Sequence, residues 1–380
     1  MRTAICSARF MSIFSENLLW PKDKGTETVP NANYLWINIF ATSLKHTGRA
    51  ALVMANSASD ARHSEADIRK TLIENNLIYG MLTLPSNMFY TVTLPATLWF
   101  FDKAKKDDRI LFIDARNIFT QIDRAHREFS EEQIQNIAVI SRLHKGNRQS
   151  FVKLIDGYFQ KGMEKLNCNK QKLKDVSVTL VNFLKAFKEN DFPDVAGRLD
   201  AIRSLEKNYK AYQSKFGANK VDQTNKLQKI LADDFAPLFA DLHDMLKVVD
   251  KKVRNLEKDH KDKKEVKAVK TELDILHQEI KNAEYYFTHI EWLQERFPNA
   301  EYEDVTSLCK LATPDEVKEQ DYSLNPGRYV GVVIEEDGKT EEEFIEEMLA
   351  MNRELNGLNK EARELEAIID HNILKLTGEE

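Results

Sequence analysis

Glycine is the first shortage. The 380 residues hold 13 glycines, and no two of them stand two apart. Without a G-x-G the chain can write neither the dinucleotide fingerprint nor the glycine-rich strand-end loop that cradles a methyl donor. Nor is there a P-loop: Gly338-Lys339-Thr340 has Val333 where that motif needs its first glycine. Cysteine is scarcer still. Cys6, Cys168 and Cys309 are far apart and form no C-x-x-C. That excludes a disulfide framework and a cysteine zinc site, and it suits a reducing, cytoplasmic setting. The nine histidines include no H-x-x-x-H, so no helical metal site is expected. No serine lies in G-x-S-x-G. No apolar run approaches the roughly 18–20 residues that span a bilayer, so no membrane association is expected.

What is present is a sizeable apolar fraction, 42%, beside 31% charged residues. That combination goes with long surface helices, and the length suits two or three domains. The net charge of -6 gives no overall signal for nucleic acid. The first 14 residues carry Arg2 and Arg9 and no acid before Glu16, a composition faintly like a transit peptide. The plainer reading is an irregular N-terminus.

Residues 31–114 alternate helix and strand. "NANYLWINIFATSLKHTG" spaces Trp36, Phe40 and Leu44 four apart, which predicts one helical face stopped by Gly48. "RAALVMAN" reads as a short strand ending at Asn56. "SEADIRKTLIENN" opens with Ser64 three before Asp67, a capping-box-like start, and Ile68 and Leu72 continue the helix face. "LIYGMLTL", "LPATLWFF" and "RILFIDAR" are three more strands. This order predicts an α/β sheet. The short loop between the first two of these strands predicts an antiparallel part at that end.

Residues 149–295 differ. Glycine and proline thin out, and apolar residues recur at three and four, as in Phe239, Leu242, Leu246 and Val249, interrupted by Pro237. The spacing predicts long helices, an antiparallel helical pair. Within 251–270, nine lysines and arginines stand against four acids. A basic stripe could touch phosphates; a solvated helix tip explains it as well. Further on, Thr313-Pro314-Asp315-Glu316 is a helix start. The acidic stretch 340–375 carries a partial apolar seam of Phe344, Met348, Met351, Leu355, Leu358 and Leu365, and such a seam needs a partner.

One stretch stands out: "LPSNMFYTVTLPATLWFF", residues 84–101. Phe89 and Tyr90 sit at a bend that ordinarily carries Gly, Asn, Asp or Ser. Either they cap a core or they meet a flat ligand. Trp99, Phe100 and Phe101 read as sheet core. Asn33, Trp36 and Asn56 can be caps, core or turn residues, or can line a pocket. Arg62, His63 and Arg69 face phosphate or sit on a solvated helix face. Arg124, His126 and Arg127 form a small basic cluster.

The block from "PNANYLWINIFATSLKHTGRAALVMAN" through "LPATLWFFDK" resembles the modification (M) subunit of type I restriction–modification systems. "ILFIDARNIFTQIDRAHREFSEEQIQNIA" and "LCKLATPDEVKEQDYSLNPGRYVG" continue the likeness in the family order. The resemblance covers about 31–145 and 290–332. It implies an adenine-N6 DNA methyltransferase that uses S-adenosylmethionine and works with specificity (S) and restriction (R) subunits on double-stranded DNA. It implies a divergent segment at 1–30, a partial methyltransferase domain at 31–148, a long helical insertion at 149–295 and a docking region with an acidic helix at 296–380. The fold class is then α/β, the C-terminal half of a Rossmann-like methyltransferase sheet with an antiparallel hairpin end, followed by a coiled-coil-like helical region.

The departures matter equally. The family's N-P-P-[FY] motif and donor loop do not occur; the only Asn-Pro, Asn325-Pro326, belongs to "NPGRYVG". The chain thus resembles the C-terminal part of such a subunit, with no catalytic or cofactor-binding residue of its own. What the resemblance leaves is a base pocket at Phe89 and Tyr90, where an aromatic stacks on a flipped adenine. It also leaves a partner-docking loop at Pro326, Gly327, Arg328 and Tyr329. The alternative is a catalytically inactive protein that still docks a specificity subunit.

Overall fold

The computed structural model describes residues 32–62, 64–186, 195–259, 264–332 and 341–377. The chain forms two compact units, one up to Gly331 and one from Val332. The transit-peptide-like N-terminus and His63 lie outside the described residues.

The first unit begins with helix α1 (Ala32–Thr42), strand β1 (Arg49–Ala55), helix α2 (Ser64–Glu74) and strands β2 (Ile78–Thr83), β3 (Ala96–Asp102) and β4 (Ile110–Asp114). A two-residue hairpin, β5 (Thr120–Gln121) and β6 (Arg127–Glu128), precedes helix α3 (Glu131–His144). After a helical excursion the chain returns as β7 (Cys309–Ala312) and α8 (Pro314–Glu319). Five strands make one sheet in the order β1-β3-β2-β4-β7. β3 lies antiparallel between β1 and β2, β2 runs parallel to β4, and β7 closes antiparallel to β4. The predicted α/β sheet with an antiparallel β2–β3 pair is what forms. β7 escaped notice in the sequence because four residues are too short to show a period of two.

Two cores follow from the pleat. On one face Met81, Trp99, Phe101 and Phe112 pack against Tyr34 and Ile37 of α1 and Ile68 and Leu72 of α2. On the other, Leu82, Leu111 and Ile113 join Ile137, Ile140 and Leu143 of α3 and the long helices. Gly80 is required where β2 and β4 meet: a Cβ there would stand 2.8 Å from the Leu111 carbonyl oxygen.

Three local expectations change. In α1 the buried face is Tyr34, Ile37, Asn38 and Ala41, and Trp36 points outward, 55% exposed. The helix ends at Thr42, well before Gly48, whose N–H instead closes a turn on the Lys45 carbonyl at 2.8 Å. Arg69 is neither a phosphate contact nor solvated. It is buried and donates to the Tyr34 hydroxyl at 2.7 Å and the Tyr322 carbonyl at 3.1 Å. A guanidinium with this many acceptors tolerates burial because its charge remains hydrogen-bonded.

Among the described residues the helical region holds four long helices, not one pair: α4 (Arg148–Ala186), α5 (Val195–Gln213), α6 (Val221–Asp259) and α7 (Lys264–Arg296). The buried Ile202, Leu205, Tyr209 and Tyr212 give α5 an apolar face of its own. Phe235 and Phe287 stack at the centre with centroids 5.5 Å apart. α6 runs through Pro237; the helix forgoes one N–H bond there, and the apolar face on both sides holds it together. The tip of the basic window, 260–263, lies outside the described residues. Taken by itself, the second unit is one long helix, α9 (Glu341–Thr377), on which Met348, Met351, Leu355, Leu358 and Leu365 of the expected seam are exposed, while the Phe344 side chain lies outside the described residues. No helix of the described residues is long and apolar enough to cross a membrane.

Candidate nucleic-acid interface

β1, β2 and β4 all point their carboxyl ends at the same edge of the sheet, and in open α/β sheets ligands bind at that edge. The loops there carry most of the residues singled out in the sequence. β1 runs into Asn56, whose side-chain oxygen accepts the Thr97 hydroxyl at 2.7 Å. The amide therefore ties two strand ends together.

β2 leads into the loop 84–95. Its base is closed by the Leu84 N–H on the Ala96 carbonyl at 2.8 Å. Pro85 and Pro95 flank it, and neither offers an N–H to extend the ladder. Asn87 takes a positive φ of 61°, which asparagine tolerates well. The tip is pinned by a single bridge between Phe89 and Val92. Held this way, Phe89 is 42% exposed and Tyr90 90% exposed, with Val92 and Leu94 exposed beside them. Neither Phe89 nor Tyr90 caps a core.

The β5–β6 hairpin lies against this loop and brings the basic cluster to it. The Arg127 N–H donates to the Asn87 carbonyl at 3.0 Å, and its guanidinium donates to Ser86 Oγ at 3.0 Å. The same guanidinium sits 4.0 Å from the Phe119 ring centroid, a cation–π contact. His126 packs at a tilt on Tyr90, with ring centroids 4.6 Å apart and planes at 48°, and meets Asp123 Oδ2 at 2.6 Å through Nδ1. That hydrogen bond and the Ala125 N–H hold the Asp123 carboxyl below its ordinary range. Arg124 stands exposed on the turn. Phe89, Tyr90, Arg124, His126 and Arg127, two separate sequence expectations, thus form one surface. An open aromatic beside cations suits stacking on a base with phosphates nearby. Phe119 was missed; only its spacing from Arg127 across a hairpin could have marked it.

The "NPGRY" loop has a different setting. The Tyr329 ring stacks on Phe112 of β4 at 3.9 Å and 9°, and its hydroxyl donates to the Ser323 carbonyl at 2.6 Å. Burial pushes the Tyr329 phenol up from its ordinary value. Pro326 is buried. At Gly327 a Cβ would meet Arg116 Nη2 at 2.8 Å, and Arg116 is itself clamped by Asp114 at 2.5–2.9 Å. Asp60 gathers the loop: it accepts from Ser323 Oγ, from Asn325 Nδ2 at 3.0 Å, and faces Arg328 Nε at 3.4 Å. Pro326, Gly327 and Tyr329 therefore serve contacts within the chain, and Arg328 is the one exposed member. Asp60, some 260 residues away, was illegible as their anchor.

The strand ends do not fit S-adenosylmethionine. Asn56 is engaged by Thr97, both Asp114 oxygens are taken by Arg116, and no glycine follows β1, β2 or β4 to admit a ligand against backbone. Among the described residues no cluster of His, Cys, Asp or Glu could hold a metal ion.

A mixed α/β sheet with its loops gathered at the carboxyl edge defines a class of ligand-binding fold, not yet a family. The family follows from comparison. The N-6 DNA Methylase family profile matches residues 12–158 and 246–338, more than half of the chain, and the chain belongs to that family. The Type I restriction enzyme MjaIX methylase subunit of Methanocaldococcus jannaschii is 43% identical over 121 residues, 30% of this chain and 22% of the relative. The HindI methylase subunit of Haemophilus influenzae is 38% identical over 116 residues, 30% of this chain and 26% of the relative. The matches thus span about a quarter of these relatives. Among solved structures, the type I restriction-modification methyltransferase subunit from Streptococcus thermophilus aligns over 33% of this chain and 27% of that one, at 23% identity and a TM-score of 0.30.

Proposed function

We propose that this chain supplies the base-binding side of a type I modification subunit, in which adenine N6 in double-stranded DNA receives a methyl group from S-adenosylmethionine. Phe89 carries the proposal: a half-exposed aromatic held at the carboxyl edge of the sheet without a core to cap. A flipped base has two faces to cover, and stacking contributes on the order of 1–3 kcal/mol per base. Arg124 and Arg127 stand where the backbone of a stacked nucleotide could be neutralised. When bound, the donor would supply the sulfonium methyl. The described strand ends do not fit it, so the part of these residues is to bind and orient the base.

Specificity and restriction subunits are the partners in this reading. The exposed Arg328 and the apolar seam of α9 support docking of the former, and the domain boundaries at 31–148, 149–295 and 296–380 follow that division of labour. The sequence favours a second reading for the chain acting alone: with no N-P-P-[FY] and no donor loop, it docks a specificity subunit and methylates nothing.

The test is a titration of this chain against duplex DNA carrying 2-aminopurine at a mismatched position. Stacking on Phe89 quenches the fluorophore, and Phe89→Ala abolishes the quench while leaving the circular dichroism unchanged. An identical quench in both proteins would sink the base-pocket assignment.

A further inference from the structure

The β5–β6 hairpin carries the cations beside Phe89 and has no core of its own. None of its paired residues is buried, and Ile122 on its turn is 54% exposed. A hairpin this short does not hold its shape alone. Ile118 and Phe129 pack on the core at its two ends and fix where it leaves the sheet. Hydrogen bonds fix its angle. Gln133 Oε1 of α3 accepts the Ser130 N–H at 2.9 Å and the Thr120 hydroxyl of β5 at 3.4 Å, so one side chain draws the two ends together. The Gln133 N–H completes the capping box on Ser130 Oγ at 3.2 Å.

The helical region grips that capping box. The Tyr285 hydroxyl of α7 reaches Ser130 Oγ at 2.7 Å and Glu132 Oε2 at 3.1 Å. Lys161 of α4 donates to Glu132 Oε1 at 2.9 Å. Tyr158 of α4 donates to the Glu132 carbonyl at 3.1 Å and to Asn136 Oδ1 at 2.9 Å. The apolar packing of α3 begins only at Ile137, and Ile134 in its first turn is 45% exposed. Polar bonds from α4 and α7 therefore place the first turn of α3, and the hairpin is tied to that turn.

We propose that Tyr285 is a positioning residue: through Ser130 it sets the angle at which the hairpin holds Arg127 against the 84–95 loop, and with it the grip of Arg124 and Arg127 on DNA phosphate. The onward contacts are the Arg127 N–H on the Asn87 carbonyl and its guanidinium on Ser86 Oγ, both at 3.0 Å. The helical region thereby acts on DNA binding through the hairpin. The proposal rests on the phosphate contact in the function proposed above, not on stacking at Phe89. A chain of contacts becomes a coupling only when the two ends respond to each other, so the test is a cycle.

Tyr285→Phe in the full-length protein keeps the ring beside His289, where the centroids are 4.6 Å apart, and deletes only the hydroxyl. Hydrogen exchange at the Ile122 and Arg127 amides, which bond to the His126 and Asn87 carbonyls, should quicken about fivefold, the loss of one hydrogen bond. Affinity for a fluorescein-labelled duplex, read by anisotropy at low salt, should fall by about the same factor. Combined with Arg127→Gln, Tyr285→Phe should weaken binding no further than Arg127→Gln alone. Tyr212→Phe removes a hydroxyl bonded to Asp156 elsewhere in the bundle. It controls for general loosening and should leave hairpin exchange and affinity unaltered. Unchanged exchange or unchanged affinity in Tyr285→Phe overturns the proposal. So do effects that add to those of Arg127→Gln, and so does a Tyr212→Phe variant that matches Tyr285→Phe. The base pocket fails separately: a 2-aminopurine quench indifferent to Phe89→Ala discards that pocket and leaves the exchange and anisotropy results to decide Tyr285.

Discussion

Two loops of this protein present aromatic side chains, and they use them in opposite directions. In 84–95 the chain sets Phe89 and Tyr90 outward, against nothing but a histidine and solvent. In 323–330 it turns Tyr329 inward, flat on Phe112, with Asp60 fastening the turn from below. Aromatic content cannot distinguish them. What separates them is whether the sheet beneath has an unfilled apolar position. Phe112 on β4 offers one; the strand ends under Phe89 are already sealed by the Leu84–Ala96 bond and the Asn56–Thr97 pair. An aromatic that fills a core position is read in folding stability. One that does not is read in binding.

The inward loop gives the larger effects. Tyr329→Ala removes a ring stacked in the core and should cost about 3–5 kcal/mol in denaturant unfolding. Tyr329→Phe should cost only about 1 kcal/mol, the hydrogen bond to Ser323. If Tyr329→Ala unfolded at the same denaturant concentration, the loop would not be held by its ring. Asp60→Ala leaves Ser323, Asn325 and Arg328 without their shared acceptor. The expected loss is about 2 kcal/mol, with faster proteolysis confined to 323–330. General cleavage across the sheet would mean that Asp60 acts elsewhere.

The outward loop should reverse the pattern. Phe89→Ala should leave stability within about 0.5 kcal/mol, as for surface changes in general. It should weaken base binding by about 1–3 kcal/mol. A destabilisation resembling that of Tyr329→Ala would erase the distinction between the loops. Arg124→Gln is gentler: a uniform weakening across DNA sequences, with the salt-dependence slope reduced by about one.

The same contrast explains what was legible in the sequence. The strands "LIYGMLTL" and "LPATLWFF" and the antiparallel turn between them could be read because apolar runs bounded by prolines are a local pattern. Phe89 and Tyr90 could be singled out because large aromatics at a bend break a local rule. Asp60 and its three partners could not, since they are some 260 residues apart and obey no period. Arg69 misled for a related reason: a lone arginine on a polar-looking helix becomes buried only because Tyr34, Ala61 and Tyr322 converge on it from three segments. Trp36 misled because an i, i+4 series marks a face without saying which face meets the sheet.

A third loop, 103–109 at the opposite edge of the sheet, tests the contrast with a charge in place of a ring. Lys105 turns inward and donates to the Ile78 carbonyl at 2.8 Å. Burial pulls its ammonium down to about 8, against the opposing pull of Asp107, Asp108 and Asp102. An unfolded lysine holds its proton to about pH 10.4. Between about pH 8 and 10 the unfolded lysine therefore holds its proton where the folded one does not, and the contribution of Lys105 to stability rises with pH across that window. Above it Tyr34, raised to about 12 by burial, reverses the slope, because the unfolded phenol ionises first. Comparing the melting temperature of the protein with that of Lys105→Met isolates the lysine. The variant should be the more stable at pH 7, and the difference should shrink as pH approaches 10. A difference constant with pH would show that Lys105 stays fully solvated, and that this loop, like the one carrying Phe89, faces outward.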